Sequence, residues 1–230
     1  MKLAELLRSR QIPGTFYIPI TPYRGSGALD HAELRTLSSG GFEIGAHGYS
    51  HKHLWKLSPE ELAKEINPCK PALEDILGTE VRMFCYPRGR YDSNAMRIVR
   101  EAGYWGARTV RLFATRPEFN PFELPTTLQA VPNPRLGYIK NLARARKMES
   151  VRLCFTHATK LGNWVQLGKS LFDSVLQYGG IWHLWGHSWE LEKFGLWKDL
   201  EEMLDYVGGR SAVKYVPNCE VVRLSSMQAN

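Results

Sequence analysis

Short apolar runs alternate with amphipathic segments from one end of the chain to the other. This order is typical of parallel strands joined by crossover helices, because each helix returns the chain to the same edge of the sheet. We expect strands in seven runs: 15–20, 42–46, 81–86, 105–110, 151–156, 181–186 and one within 213–224. No Gly/Ser/Pro-rich or charge-dense stretch divides the chain, so the pattern predicts one α/β domain over residues 1–230.

Several helix starts are marked by capping residues. Asp30 with Glu33, and Ser58 with Glu61, have the spacing of a capping box, in which two side chains satisfy the first backbone N–H groups of a helix. Asp92 is placed to cap a further helix after the run 81–86. The sequence therefore predicts helices that begin directly after these residues.

The first predicted element is a helix rather than a strand. Leu3, Leu6 and Leu7 form one helical face, and the run 15–20 follows at once. The usual unit of an α/β sheet begins with a strand that pairs with the next one. We therefore expect that a preceding strand is missing, through a misplaced start, a truncated gene or a real loss.

Composition narrows the class of protein. The chain has 230 residues, 43% hydrophobic and 23% charged, which is typical of globular proteins. No apolar run approaches the ~20 residues of a membrane-spanning helix, and the N-terminus has no secretory signal, so we expect no membrane span and, by default, a cytoplasmic location. The cysteines are widely spaced, which argues against a disulfide framework or a zinc knuckle; they are Cys69, Cys85, Cys154 and Cys219.

The charge is strongly basic. With 30 Lys and Arg against 23 Asp and Glu, the net charge is +7, which favours polyanionic partners such as nucleic acid or anionic cell-wall polymers. The densest basic segment, 140–147, has helical spacing and is explained by a solvated helix face. No nucleic-acid-binding pattern accompanies the charge, so we expect no nucleic-acid partner. The oligomeric state is left open.

Two histidines follow the predicted strand 42–46. His47 and His51 lie four residues apart, at the carboxyl end of a strand, where β/α barrels keep their sites. Neutral imidazole is a favoured ligand of zinc, nickel and iron. The competing interpretation is a pair of surface or loop histidines, since no third ligand is close in sequence. His53 is expected to be a surface residue or part of their surroundings.

A second candidate segment is the turn Tyr86-Pro87-Arg88-Gly89 after the strand 81–86. Pro and Gly fix a tight turn here, and exposed backbone N–H groups can hold a developing oxyanion. An ordinary strand-to-helix turn that leads to the Asp92 cap explains the same residues.

In this order, the segments resemble the polysaccharide deacetylase family with the NodB homology domain, carbohydrate esterase family 4. The segment 42–51 is similar to the family's metal-binding His-x-x-[Ser/Thr]-His motif, and the segment 84–92 resembles its Arg-x-Pro-[Tyr/Phe]-Gly motif. The resemblance implies a distorted (β/α) barrel, here without its first strand. It also implies a metal-dependent hydrolase that removes N-acetyl groups from an amino-sugar polymer or oligosaccharide.

The resemblance also implies roles for individual residues. His47 and His51 are the implied ligands of one divalent metal, with zinc favoured, and the backbone around Arg88 the implied oxyanion site. Tyr86 belongs to the same substrate-binding segment. We expect His187 to protonate the leaving amine.

Three neighbouring residues have competing interpretations. His183 lies deeper on the same predicted strand as His187 and favours a core or supporting role. Trp185 is expected to stack on a sugar ring or to pack in the interior. His157, at the end of the run 151–156, is expected to face the mouth in a structural or substrate-side role.

The sequence departs from the family at its first motif, the Asp-Asp pair that supplies the base and a carboxylate ligand. No Asp-Asp pair occurs in the chain, Cys85 replaces the family's Arg, and Arg108 is expected to position substrate or to be structural. We expect weak metal binding and impaired activity unless Asp92, Glu190 or another acidic residue reaches the metal. The main alternative is a pseudoenzyme that binds carbohydrate; a hydrolase of small amides is a weaker one.

Overall fold

The computed structural model describes residues 1–21, 29–132 and 148–228. Its centre is a four-stranded parallel sheet in the order β1-β2-β3-β4, with Phe84 of β3 beside Ala46 of β2 and Ala107 of β4. A second sheet of two short parallel strands, β5 and β6, lies beside it, and a bridge between Arg108 and Leu124 connects the two regions. The strands are β1 (Thr15–Ile18), β2 (Glu43–Ala46), β3 (Met83–Cys85), β4 (Gly106–Arg108), β5 (Leu128–Gln129) and β6 (Leu184–Trp185).

Helices surround these sheets. They are α1 (Lys2–Arg8), α2 (His31–Ser39), α3 (Pro59–Ile66), α4 (Cys69–Leu77), α5 (Ser93–Glu101), α6 (Met148–Thr156), α7 (Trp164–Tyr178), α8 (Ser188–Lys193), α9 (Trp197–Val207) and α10 (Asn218–Gln228). Single helical turns at Leu54–Lys56 and Pro87–Gly89 follow the carboxyl ends of β2 and β3. No helix in the described ranges combines the length and the apolar character that a membrane crossing requires.

The predicted helix starts are confirmed. Asp30 accepts a hydrogen bond from the Glu33 N–H at 2.8 Å, and the Glu33 carboxylate accepts one from the Asp30 N–H at 3.0 Å. Ser58 and Glu61 make the same reciprocal pair at the start of α3. Asp92 accepts from the Ala95 N–H at 2.8 Å and so caps α5. Local side-chain chemistry therefore fixes where these three helices begin.

Two of the seven predicted strands are wrong. The run 151–156 lies in α6, where Phe155 is 75% exposed, and the run within 213–224 contains most of α10. In α10, Cys219 and Val222 pack in one cluster with Met83, and their separation of three residues is a helical period. A short apolar run has no period long enough to distinguish a strand from a helix. The basic segment 140–147 lies outside the described residues.

The two largest apolar cores among the described residues hold the sheets in place. Helices α3, α4 and α5 bury Leu62, Leu73 and Val99 against Phe84 of the four-stranded sheet. Helices α7 and α9 pack on β5 through a second core of seventeen buried residues, Leu128, Leu171 and Met203 among them. The carboxyl ends of β2 and β3 thus rest on a packed base, and their loops lie at one edge.

Candidate functional site

His47 directly follows β2 and is held by the neighbouring strand. Its backbone N–H donates to the Ile18 carbonyl at 3.0 Å, and its Nδ1 lies 2.8 Å from the carbonyl oxygen of Cys85. Because a carbonyl oxygen only accepts, Nδ1 carries the proton, and the lone pair of the neutral ring lies on Nε2. Neighbouring strands therefore fix both the position and the tautomer of His47.

His51 meets His47 through a turn of the loop, not through a helix. Gly48 has φ +79° and His51 has φ +59°, both in the left-handed region, which reverses the chain within four residues. The two ring centroids are 4.8 Å apart with the planes at 71°. The two imidazoles thus lie in contact, and their role as ligands of one metal stays a prediction.

Buried Glu65 of α3 supports this loop. Its carboxylate accepts hydrogen bonds from the backbone N–H of Ser50 at 2.9 Å and from the Ser50 hydroxyl at 2.6 Å. The Glu65 backbone carbonyl accepts a further bond from the Tyr49 N–H at 2.9 Å. A carboxylate in α3 therefore holds the segment between the two histidines.

The environment keeps both imidazoles neutral at neutral pH. The pKa of His47 is lowered to about 4, mainly by desolvation; the hydrogen bond to the Cys85 carbonyl opposes this shift, and the nearby His51 and His187 add to it. The pKa of His51 is also lowered, mainly by desolvation and then by the charge of Arg88. A neutral imidazole has a lone pair ready for a cation or a proton, so no proton must leave before binding.

His187 is the histidine that the sequence favours as the proton donor. It precedes α8, and its Nδ1 lies 2.7 Å from Oε2 of Glu190. The Trp185 ring meets the His187 ring edge to face at 5.3 Å, and the Trp189 ring stacks on it at 5.4 Å. Trp189 is 52% exposed. A hydrogen-bonded carboxylate and two indoles thus fix the orientation of His187.

The Tyr86-to-Gly89 segment forms a strained turn beside the pair. Arg88 has φ +57° and Gly89 has φ +63°, and the Gly89 N–H donates to the Tyr86 carbonyl at 2.7 Å. The Arg88 side chain is exposed and its charge acts on His51. The role of the backbone around Arg88 as an oxyanion site stays a prediction.

Two predicted substrate-binding side chains lie elsewhere. Tyr86 is fully buried, donates its hydroxyl proton to the Phe122 carbonyl at 3.0 Å and stacks on Tyr91 at 4.2 Å. Arg108 is 4% exposed and donates to the Pro125 carbonyl and to Asn218 Oδ1. The cavity beside Arg108 has a volume of about 10 Å³, room for one water at most. Substrate contact by these two side chains is corrected to a structural role.

The other two histidines of the prediction also have structural partners. His183 Nδ1 lies 2.7 Å from the Thr126 hydroxyl oxygen, and desolvation lowers its pKa well below the ordinary value. This agrees with the supporting role expected for it. His157 does not end a strand; it follows α6 and contacts the Ser170 hydroxyl at 2.8 Å, which fixes the chain to α7.

The imidazoles of this site are of a type that divalent cations bind, but there are too few ligands for a firmly held metal. His47 and His51 are two suitable ligands, whereas no group of three or more His, Cys, Asp or Glu side chains able to hold a metal occurs within the described residues. Asp92 is occupied as the α5 cap, and Glu190 is bonded to His187. Two imidazoles without a carboxylate bind divalent metals weakly.

Two contacts that support the site were not predicted from the sequence. His187 and Glu190 have the spacing of a residue before a helix and the third residue within it, the same spacing that marked Asp30 with Glu33. The spacing of His187 and Glu190 could therefore have predicted their contact. Nothing in the sequence indicated that Glu65 of α3 reaches Ser50, because this contact depends on how α3 packs.

Comparisons with known proteins find a family match for the N-terminal part of the chain, residues 1–107. These residues match a family model described as Polysaccharide deacetylase. The uncharacterized protein YlxY of Bacillus subtilis (strain 168) is 23% identical over 101 residues, which cover 44% of this chain and 30% of YlxY. The match thus spans about a third of the length of that relative.

Solved structures show a similar fold. A Mycobacterium smegmatis protein described as a polysaccharide deacetylase aligns with a TM-score of 0.71 and 18% identity, over 99% of this chain and 77% of that one. Wild-type BA3943 of Bacillus anthracis, described as a CE4 family pseudoenzyme, aligns with a TM-score of 0.53 and 13% identity, over 90% of this chain and 54% of that one. These likenesses confirm the predicted α/β fold of the distorted-barrel, NodB type.

Proposed function

Since residues 1–107 match the Polysaccharide deacetylase family model, we propose that the domain removes N-acetyl groups from an amino-sugar polymer or oligosaccharide at the mouth formed by the loops after β2 and β3. The convergence of His47 and His51, with ring centroids 4.8 Å apart, carries this proposal. In this proposal His187, which directly precedes α8, belongs to the same site as the pair. The whole of residues 1–230 acts as one domain in this proposal.

A divalent ion, with zinc favoured, would be held weakly by His47 and His51. When bound, such an ion polarises an acetamide carbonyl and makes water acidic enough to attack at neutral pH. The described residues supply no carboxylate base at the pair. Loss of a general base costs about 10²- to 10⁴-fold in rate, so we expect slow hydrolysis.

The chain's own residues orient the reaction. The Cys85 carbonyl holds the proton of the His47 ring on Nδ1, which leaves the lone pair on Nε2. Glu190 accepts the Nδ1 proton of His187, so that protonated His187 can give a proton from Nε2 to the leaving nitrogen. The exposed face of Trp189 offers a surface on which a sugar ring can stack. Trp185 packs against His187 and holds its ring in place.

A second candidate is a domain that binds N-acetylated saccharide without cleaving it. The shortage of metal ligands among the described residues favours this alternative. Binding would then depend on the aromatic side chains of the mouth and on its basic surface, and it would persist in the presence of a chelator.

Acetate release from N-acetylchitotetraose tests the first candidate, with and without added Zn²⁺ or Co²⁺. We expect slow release that a chelator abolishes and that His47→Ala and His51→Ala both eliminate. His31→Ala, at the exposed start of α2, is the matched control and retains the wild-type rate. If calorimetry detects binding of the same tetrasaccharide but no acetate is released at any metal concentration, the second candidate is supported instead. Absence of both binding and release would contradict both.

A further inference from the structure

A short helical turn next to the histidine loop presents an aromatic and a basic side chain to solvent. Leu54 begins the turn Leu54–Lys56 and is fully buried, which fixes the backbone. Trp55 is 41% exposed, and the Lys56 Nζ lies 4.9 Å from the centroid of its ring. The turn therefore holds an ammonium group against an exposed indole.

A second cation reaches the same indole from the neighbouring loop. Arg90 follows the turn at the end of β3, and its guanidinium carbon lies 5.6 Å from the centroid of the Trp55 ring. Because β2 and β3 are adjacent and parallel, their following loops meet at one edge of the sheet. We call Trp55, Lys56 and Arg90 the cationic cluster.

The positive charge of this cluster is not neutralised by acidic side chains in the described parts of the chain. Neither Lys56 nor Arg90 forms an ion pair there, whereas the buried carboxylate of Glu65 is engaged by Ser50 and Lys52. A similar pair, Arg82 over Trp105 at 4.6 Å, differs in this respect, because Arg82 also bonds to Glu80 at 2.9 Å. Cation–π contact stabilises both arrangements. Of the two, only the cationic cluster has cations without an ion pair among the described residues, and these can bind an anionic ligand.

The cluster is continuous with the histidine site. His53 lies between His51 and Trp55 in the loop after β2. Arg88 lies two residues before Arg90 in the loop after β3, and β2 and β3 are neighbouring parallel strands. The cationic cluster and the histidine site are therefore carried by the same two loops.

We propose that the cationic cluster is a subsite for a negatively charged group, a carboxylate or a phosphate, carried by the saccharide whose N-acetyl group lies at His47 and His51. The substrate class is thus an acidic N-acetylated saccharide. Trp55 stacks on the sugar ring, and Lys56 and Arg90 contact the anionic group. This inference rests on the proposed function, because it assigns a ligand to the same mouth.

Calorimetric affinities at low salt test the proposal with matched ligands. The carboxylate probe is a hyaluronan tetrasaccharide, which alternates N-acetylglucosamine and glucuronate, and its neutral counterpart is the methyl ester. The phosphate probe is N-acetylchitotetraose with a 6-phosphate, compared with unmodified N-acetylchitotetraose. We expect at least one acid to bind roughly three- to tenfold more tightly than its neutral counterpart. The difference should shrink in 0.5 M salt because the charges are exposed.

Variants that each remove one positive charge show which residues cause the higher affinity for the acidic ligand. Arg90→Gln and Lys56→Gln should each lower the affinity for the preferred acid roughly threefold, and leave the affinity for its neutral counterpart unchanged. Arg82→Gln removes the same charge at the opposite edge of the sheet and should bind like the wild type. Trp55→Ala should weaken binding of both ligands through lost stacking.

Two results would overturn the proposal. If neutral and acidic ligands bind equally well, or if Arg82→Gln matches Arg90→Gln, the cluster is not an anion subsite, while the proposed function stands. If no N-acetylated saccharide binds, whatever its charge, both the subsite and the proposed function fail. The two failures are therefore distinguishable in one set of titrations.

Discussion

Glu65 binds Ser50 twice, with one carboxylate oxygen on the Ser50 hydroxyl at 2.6 Å and the other on the Ser50 backbone N–H at 2.9 Å. Ser50 lies between the two histidines of the mouth, and Glu65 belongs to a helix packed in the core. The loop geometry therefore depends on the buried carboxylate of Glu65.

Glu65→Gln tests this dependence. The amide replaces one accepting oxygen by a donor that faces the Ser50 hydroxyl or N–H, so at least one charged hydrogen bond is lost. We expect the free energy of unfolding to fall by about 1–3 kcal/mol, measured by urea denaturation. Zn²⁺ binding should weaken as well, because the histidine loop loosens. Glu60→Gln, exposed in the first turn of the same helix, should change neither quantity. A Glu65→Gln protein that is as stable as the control would contradict the role assigned to Glu65.

Gly89 and Gly78 form a matched pair of left-handed glycines. Their φ values are +63° and +67°, but an added Cβ at Gly89 would overlap the Val110 side chain, whereas at Gly78 it would meet nothing within 4 Å. We expect Gly78→Ala to cost about 1 kcal/mol of stability through backbone strain alone. Gly89→Ala should cost about 1–3 kcal/mol more through overpacking. Urea denaturation of both variants checks the difference.

The double variant Gly89→Ala with Val110→Ala separates clash from strain. Removing the Val110 methyl groups should recover most of the extra loss at Gly89. If the double variant stays as unstable as Gly89→Ala alone, the strained turn rather than the clash with Val110 determines the cost, and the interpretation of the turn is wrong.

Local chemistry explains which parts of the fold were predictable from sequence. The capping pairs at Asp30, Ser58 and Asp92 act within four residues, so the sequence contains the whole cause. The runs that contain β1 to β4 and β6 were also predictable as strands, because they lie between predicted helices. The strand prediction for 151–156 was wrong because a run of six residues fits a strand and a helix equally well. Tertiary packing then determines which of the two forms.

The candidate site was predictable to a different extent. Spacing and position after β2 were enough to single out His47 and His51, and position in the 180–190 segment favoured His187 over His183. The prediction that Tyr86 and Arg108 contact substrate could not be corrected from sequence, because the direction of a side chain near a strand end depends on its register with neighbouring strands. The single-domain assignment of residues 1–230 stays a prediction.

His183 gives the protein a stability that depends on pH. Desolvation, and then the charge of Arg108, lowers the folded-state pKa of His183 well below the value of about 6.5 expected in the unfolded chain. Below pH ~6.5 the unfolded chain therefore binds more protons than the folded one, and stability falls as the pH falls. Above that pH this contribution is fully present. We expect the free energy of unfolding to decrease from pH 7 to pH 5.

His183→Asn isolates this effect. The Asn side chain does not titrate and can still accept from the Thr126 hydroxyl, which lies 2.7 Å from His183 Nδ1. The slope of unfolding free energy against pH between 7 and 5 should therefore be shallower than in the wild type, with the remainder due to other histidines. Leu176→Ala, at an exposed position of α7, should retain the wild-type slope. An unchanged slope in His183→Asn would rule out this histidine as the source.

Glu190 is expected to act on catalysis through His187, without contact to the saccharide. Its Oε2 lies 2.7 Å from His187 Nδ1 and also accepts from Gln129 Nε2 at 3.4 Å, which fixes the carboxylate from two sides. Glu190→Gln keeps the shape but removes the charge that orients the ring. We expect kcat for acetate release from N-acetylchitotetraose, with Zn²⁺ added, to fall about 10- to 100-fold with little change in KM.

The matched control lies on the same helix. Glu192 accepts from the Trp197 indole N–H at 2.6 Å, so Glu192→Gln removes an equal charge from α8 without touching His187. It should retain the wild-type kcat. A positioning role further requires that His187→Ala and the double variant with Glu190→Gln have the same residual rate, because Glu190 acts only through the imidazole. If Glu190→Gln lowers kcat further in the absence of His187, the carboxylate acts independently, and its assignment as a positioning residue fails.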